Sequence, residues 1–313
     1  MKFGNVMENY ADRLIYAIKL KGNPCIVGLD PRLDQMPLFI TKNAVVRYGN
    51  TQEAIHRCII NYHEQIIDIV ADLVPGVKLQ IAFYEQYGFG GLLALKDTVD
   101  YAKSKNLIVI IDAKRNDIAS TASAYANSLL GQTNIFGNLE PIIDADCITV
   151  SPYLGRDSLE PFVETCKKYG KGIFILVKTS NPGSKDIQDL KLLNGDELYI
   201  SVAKLVNNYA SHLIGKEGYS SIGAVVGATF PEQAKILRKI LPHSIFLVPG
   251  YGAQGAKGSD VVHCFNPDGL GAIVNASRSL TYQFETLEIS VSDFNDLIRN
   301  RTNSMISDII HYI

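Results

Sequence analysis

Nowhere in the 313 residues do eighteen apolar residues run together, which argues against a membrane-spanning helix. The opening MKFGNVMENYADRLIYAI likewise holds no apolar stretch long enough for a signal-peptide core, so the protein is expected in the cytoplasm and not at a membrane. Cysteine is sparse and unpatterned. The five, Cys25, Cys58, Cys147, Cys166 and Cys264, are widely spaced and include no C-x-x-C pair, so they read as reduced, mostly buried thiols, without zinc or redox spacing. The six histidines form no H-x-H or H-E-x-x-H pattern, and His56 and His63 lie seven apart on an expected helix. No metal site is expected. No G-x-G-x-x-G follows a strand with an acid about twenty residues on, so a dinucleotide fingerprint is also missing. Thirty Lys plus Arg against 32 Asp plus Glu leave no basic field to recruit nucleic acid or an anionic membrane. An anionic substrate must therefore be met locally.

What the sequence does contain is a repeated alternation. Short β-branched runs recur at 25–30, 77–85, 107–114, 146–153, 172–179, 222–229, 244–251 and 271–277, each followed by a charged, helical segment. The runs are almost continuously apolar, as strands are when helices cover both faces, and this predicts a parallel sheet. Helical patterns fall at 52–72, 117–130, 197–213 and 231–241, with Pro231 placed to open the last. Eight strand–helix units fit a closed (β/α)8 TIM barrel, which typically takes about 250 residues, better than an open doubly wound sheet. The surplus falls in an extended first βα connection around 31–50 and in a long C-terminal helix from 284. With no linker or break in composition, 1–313 reads as a single domain. In such barrels the chemistry sits at the carboxyl ends of the strands. Asp30, Asp112, Lys114, Ser180, Gln254 and Arg278 lie at or near such ends, whereas Lys78 comes early in its strand.

The strongest local signal is Ile111-Asp112-Ala113-Lys114-Arg115-Asn116-Asp117-Ile118, where an apolar strand stops in two acids and two bases. Strand period two puts Asp112 and Lys114 on one face, and Asp117 in the following turn. An ammonium flanked by carboxylates stays protonated and can donate a proton or stabilise a carbanion. The alternative is that Asp117 caps a helix beginning near Ile118 while Lys114 and Arg115 face water. Lys78 lies inside an apolar strand, where an unpaired ammonium is costly, so it needs a carboxylate such as Asp112.

A phosphate signal lies at the last two strands. Pro249-Gly250-Tyr251-Gly252-Ala253-Gln254-Gly255 gives a glycine-rich turn, and Asn275-Ala276-Ser277-Arg278 ends the final strand. Glycines let backbone N–H groups approach phosphate oxygens, Arg278 offers a forked cationic donor, and a short helix amino terminus would add its dipole. An ordinary tight turn is the alternative. Asp30, before Pro31, either binds ribose hydroxyls or starts a turn; Ser180 and Asn181 either hydrogen-bond a polar ring or form a plain Ser-Asn-Pro-Gly turn.

Taken together, DAKRNDIASTA (112–122), VGLDPR (27–32), KLQIAFYE (78–85), VKTSNP (177–182), VGATFP (226–231), PGYGAQG (249–255) and NASR (275–278) resemble the orotidine 5'-phosphate decarboxylase family, in particular its longer bacterial branch. Asn116 and Ala119 stand where that branch commonly has glycine. The resemblance implies a cofactor-free barrel enzyme that converts orotidine monophosphate to uridine monophosphate and carbon dioxide in pyrimidine biosynthesis. It implies a charge array of Lys78, Asp112 and Lys114, with Asp30 and Lys78 on the ribose and Gln80 supporting the polar network. Ser180 would read the pyrimidine, and Gln254 and Arg278 would grip the 5'-phosphate; Ile118 and Ser277 also join the substrate site. Asp117 and Thr121 would come from the neighbouring subunit of a homodimer. The segment 180–193 and the turn around Gln254 would move on binding.

Two rivals accompany this reading. A magnesium-dependent sugar-phosphate decarboxylase or synthase of the same barrel superfamily shares the D-x-K-x-x-D strand, but such chains are shorter and lack the paired motifs of the fifth and seventh strands. A barrel that binds nucleotides without catalysis would need no charge array.

Overall fold

The computed structural model describes residues 8–252 and 255–313. Among these residues ten strands form: β1 (Cys25–Gly28), β2 (Gly76–Gln80), β3 (Ile108–Arg115), β4 (Thr133–Ile135), β5 (Asn138–Glu140), β6 (Cys147–Val150), β7 (Gly172–Lys178), β8 (Ser220–Val226), β9 (Ser244–Val248) and β10 (Ala272–Ala276). Eight of them close into a parallel barrel in the order β1, β10, β9, β8, β7, β6, β3, β2, with helices in the connections. The remaining pair, β4 and β5, is a small antiparallel hairpin. All eight apolar runs thus became barrel strands. Their burial explains why they lack alternation: every residue of β1, β6, β8, β9 and β10 is buried.

Most expected boundaries moved by up to three residues, and two moved further. The run 77–85 is strand only to Gln80, and Ala82–Glu85 is a single helical turn. Ile81 already has helical backbone angles, and the Tyr84 hydroxyl reaches back to donate to the Leu29 carbonyl at 2.9 Å. Short apolar runs do not distinguish these two states by periodicity. The last helix begins at Val291, not 284. Ser290 stops it, its Oγ accepting from the Asp293 N–H at 3.1 Å, while Phe284 packs on Phe294 in the loop before it. The extended first connection contains a 3-10 turn (Leu33–Gln35) and the helices Leu38–Tyr48 and Gln52–Val70.

The chain forms two compact units interleaved in sequence. One comprises Ala17–Ala113, Val248–Val262 and Ile273–Ile313, and holds the β1–β2, β2–β3 and β1–β10 pairings. Its apolar interior centres on Tyr62, which packs on Tyr282 and Phe294, with His63 and Tyr84 beside it. The other comprises the chain up to Tyr16, Lys114–Leu247 and His263–Ala272, and holds β6 to β9. There Arg238 is buried over the Phe246 ring and donates to the carbonyls of Cys264, Leu241, Ser244 and Gly271. Four bonds to neutral oxygens do not offset its burial fully, and the guanidinium pKa falls to about 10. All five cysteines are free and buried. Among the described residues no helix is long and apolar enough to cross a membrane.

Candidate active site

In the first unit, adjacent strand ends gather the acids and bases. Register pairs Gly28 with Lys78 and Gln80 with Asp112, so the ends of β1 and β2 lie beside the acidic stretch of β3. Lys78 is 5% exposed and its Nζ lies 3.2 Å from Asp112 Oδ2, the partner that a buried ammonium requires. Burial pulls the Lys78 pKa down, but attraction to Asp112 and Asp30, with the Asp112 hydrogen bond, outweighs it and leaves the value above that of ordinary lysine. Lys78 is thus held as a cation. Asp30, also buried, accepts from the Gln80 N–H at 3.2 Å. The Gln80 side chain turns to the Ala82 N–H at 3.4 Å.

The same unit holds the glycine-rich turn and the end of β10. Gly250 and Gly252 adopt φ of 102° and 70°. Ser277 follows β10, and the exposed Arg278 opens a single helical turn, Arg278–Thr281. Gly28 is required here: a Cβ on it would lie 1.8 Å from the Ser277 Oγ. The turn is anchored from behind, Asp308 accepting from the Tyr251 hydroxyl and the Gly258 N–H, both at 2.8 Å. Gln254 lies outside the described residues.

In the second unit, Lys114 continues β3 but with φ +48°, a left-handed backbone that costs a non-glycine residue roughly 1–2 kcal/mol. Strand alternation therefore does not carry through Lys114, and its side chain is aimed by this kink instead. The conformation is held by its N–H, which donates to Thr149 Oγ1 on β6 at 2.9 Å. Lys114 is exposed. Asp117 does not cap the following helix: that helix starts at Ala119 with Ile118 at the cap position, and Asp117 accepts from the adjacent Ile118 N–H, at 2.7 Å. Ile118 and Thr121 are exposed. Ser180 sits two residues beyond β7; its carbonyl accepts from Thr229 Oγ1 at 3.0 Å. Thr229, within VGATFP, had no expected role, since nothing in its spacing shows that the chain after β8 passes over Ser180.

Among the described residues no group of three His, Cys, Asp or Glu side chains could hold a metal ion. The groups present can hold a fixed cation between carboxylates, place a second lysine at a strand end and carry an exposed arginine just past β10.

The family model for orotidine 5'-phosphate decarboxylase / HUMPS matches residues 25–285, the span from β1 to beyond β10. The chain belongs to this family. It is 44% identical over 279 residues to the orotidine 5'-phosphate decarboxylase of Caldicellulosiruptor bescii, covering 89% of this chain and 91% of that one. Identity is 45% over 306 residues with that of Rhodopirellula baltica, covering 96% and 98%. Among solved structures, the OMP decarboxylase of Leishmania donovani superposes with a TM-score of 0.71 at 29% identity, covering 97% of this chain and 98% of that one. Identity at this level, over nearly the whole chain, to relatives named as decarboxylases makes the chain an enzyme, a carboxy-lyase.

Proposed function

We propose that the chain converts orotidine monophosphate to uridine monophosphate and carbon dioxide in pyrimidine biosynthesis, with Lys114 as the group at the reacting carbon. The observation that carries this reading is strand β3, which delivers a buried carboxylate paired to Lys78 and, two residues on, a lysine held in a strained backbone conformation at the strand end. Such strain persists where the surroundings impose it, and it clusters at functional positions.

When the C6–carboxylate bond breaks, its electron pair stays on C6 as a vinylic carbanion that the ring delocalises poorly. The ammonium of Lys114, placed beside C6, stabilises that charge and passes its proton to C6, and solvent reprotonates the amine. Lys78 and Asp112 hold the charge array, Asp30 and Lys78 take the ribose, and Gln80 supports them. Ser180 meets the pyrimidine, while Arg278 with Ser277 and Gln254 takes the phosphate. Binding energy from the phosphate, remote from C6, drives closure over the site. Asp117, Ile118 and Thr121 complete the site of the neighbouring subunit in a cytoplasmic homodimer, and the exposure of Ile118 and Thr121 fits that role.

The test is the loss of orotidine monophosphate ultraviolet absorbance with purified protein in chelator. Rapid loss is expected. No loss with folded protein, and turnover of a sugar phosphate on adding magnesium, would replace this reading with the synthase alternative.

A further inference from the structure

Lys178 ends β7 and is 0% exposed, yet its chemistry is absorbed by none of the roles above. Its Nζ lies 2.5 Å from Asp189 Oδ1 and 3.2 Å from Ser184 Oγ, with the Phe230 ring 4.5 Å away and the Tyr199 ring beyond. A buried ion pair is a poor source of stability, since apolar residues of similar volume often do as well or better. What it supplies is a defined geometry, and here the geometry is that of one loop.

Asp189 follows the short helix Lys185–Gln188, so the ion pair ties the far end of the segment 179–189 to the strand that starts it. A second clasp lies beside it. The Thr179 N–H donates to Gln188 Oε1 at 2.9 Å, and Gln188 Nε2 donates to Thr179 Oγ1 at 2.8 Å. The loop is thus closed at its neck, and Ser180 is the first residue inside it. From the other side Gly227 packs on Ser180 so closely that a Cβ there would lie 2.7 Å from the Ser180 Cα, and Thr229 holds the Ser180 carbonyl. The backbone of Ser180 is clamped, while its hydroxyl has no hydrogen-bond partner among the described residues.

We propose that Lys178 is a positioning residue for Ser180, acting through its ion pair with Asp189 to present the Ser180 hydroxyl to the pyrimidine base. This rests on the reading of Ser180 as the base-contacting residue. Lys178 itself touches no substrate. It closes the neck of the loop, and without the charge pair the loop keeps its chain path but loses the fixed aim of one hydroxyl.

The experiment compares Ser180→Ala, Lys178→Met, Asp189→Asn and the double variant Lys178→Met/Ser180→Ala. Two ligands are titrated: uridine monophosphate, and ribose 5-phosphate, which has the sugar and phosphate but no base. Each single variant is expected to weaken uridine monophosphate binding about tenfold, the loss of one hydrogen bond, while ribose 5-phosphate affinity stays within about twofold. The double variant should be no weaker than Ser180→Ala alone, because both changes remove the same contact. If Lys178→Met does not fold, Asp189→Asn and its double with Ser180→Ala make the same comparison. Additive losses, equal loss of both ligands, or normal binding in the ion-pair variants would overturn the positioning role while leaving Ser180 in place. A silent Ser180→Ala would instead overturn the reading of Ser180, and the positioning role with it.

Discussion

The ammonium of Lys78 lies 3.2 Å from the carboxylate of Asp112 on the neighbouring strand, and the two residues are 5% and 9% exposed. A buried pair of this kind separates stability from function. Asp112→Ala removes the carboxylate bonded to the buried Lys78, leaves it the attraction of Asp30, and should cost about 3–5 kcal/mol in urea unfolding, whereas the double variant Lys78→Met/Asp112→Leu should recover most of that stability. The recovered protein should still fail to decarboxylate. A double variant that is both stable and active would remove the pair from the charge array.

Lys114→Ala should abolish turnover while sparing the fold and the phosphate contacts. Loss of both charge stabilisation and proton delivery should lower kcat by at least about 10^3-fold, with uridine monophosphate affinity changed far less. Lys114→Gly adds a second arm. Glycine accepts φ +48° freely, so this variant should be equally inactive yet more stable than Lys114→Ala in urea unfolding. Near-normal turnover in either would remove Lys114 from the reacting carbon.

How much of this was legible follows from which physical rules act locally. The barrel was legible because strands buried on both faces are almost continuously apolar, as all eight runs are. The Lys78 partner was legible because a lysine amid Val77 and Leu79 has few alternatives to a neighbouring acid. The kink at Lys114 was not, since the hydroxyl that holds it belongs to Thr149, 35 residues away. Nor was the Lys178 clasp, because a lysine at a strand end looks solvent-exposed until the chain returns over it with Asp189. The hairpin of β4 and β5 was likewise missed; its strands are three residues each and mostly exposed, so no periodicity marks them.

His63 gives the protein an acid sensitivity of its own. Buried against Tyr84, whose hydroxyl lies 3.1 Å from Nδ1, it has an Nε2 without a hydrogen-bond partner among the described residues, and desolvation lowers its pKa from 6.5 to about 3. The unfolded chain therefore takes up the proton first as pH falls. Stability associated with neutral His63 is complete above about pH 6.5 and is lost progressively towards pH 3. His63→Asn, which retains a donor near the Nδ1 position, should be less stable than wild type at pH 7.5 but lose less on going to pH 4.5. Equal losses in the two proteins, measured by urea unfolding at both pH values, would show that His63 does not titrate on unfolding.

Gly28 and Ser277 make the end of the site that we propose for the phosphate sensitive to a single methyl group. The Cβ of an alanine at 28 would lie 1.8 Å from Ser277 Oγ and 2.7 Å from its Cβ, too close for Ser277 to keep its place. β1 and β10 are paired in register from Cys25 to Val27, so the strain cannot be relieved by sliding one strand past the other. The side that yields is the turn after β10, which carries Ser277 and Arg278. Gly28→Ala should therefore raise KM for orotidine monophosphate at least about tenfold, through displaced phosphate contacts, with a smaller change in kcat. Ser277→Gly alone removes the obstructing atoms and should cost less. In the double variant Gly28→Ala/Ser277→Gly the methyl occupies the vacated space, and KM should return towards that of Ser277→Gly. If KM stays as high as in Gly28→Ala, the methyl acts elsewhere, and the contact with Ser277 is not what glycine at 28 protects.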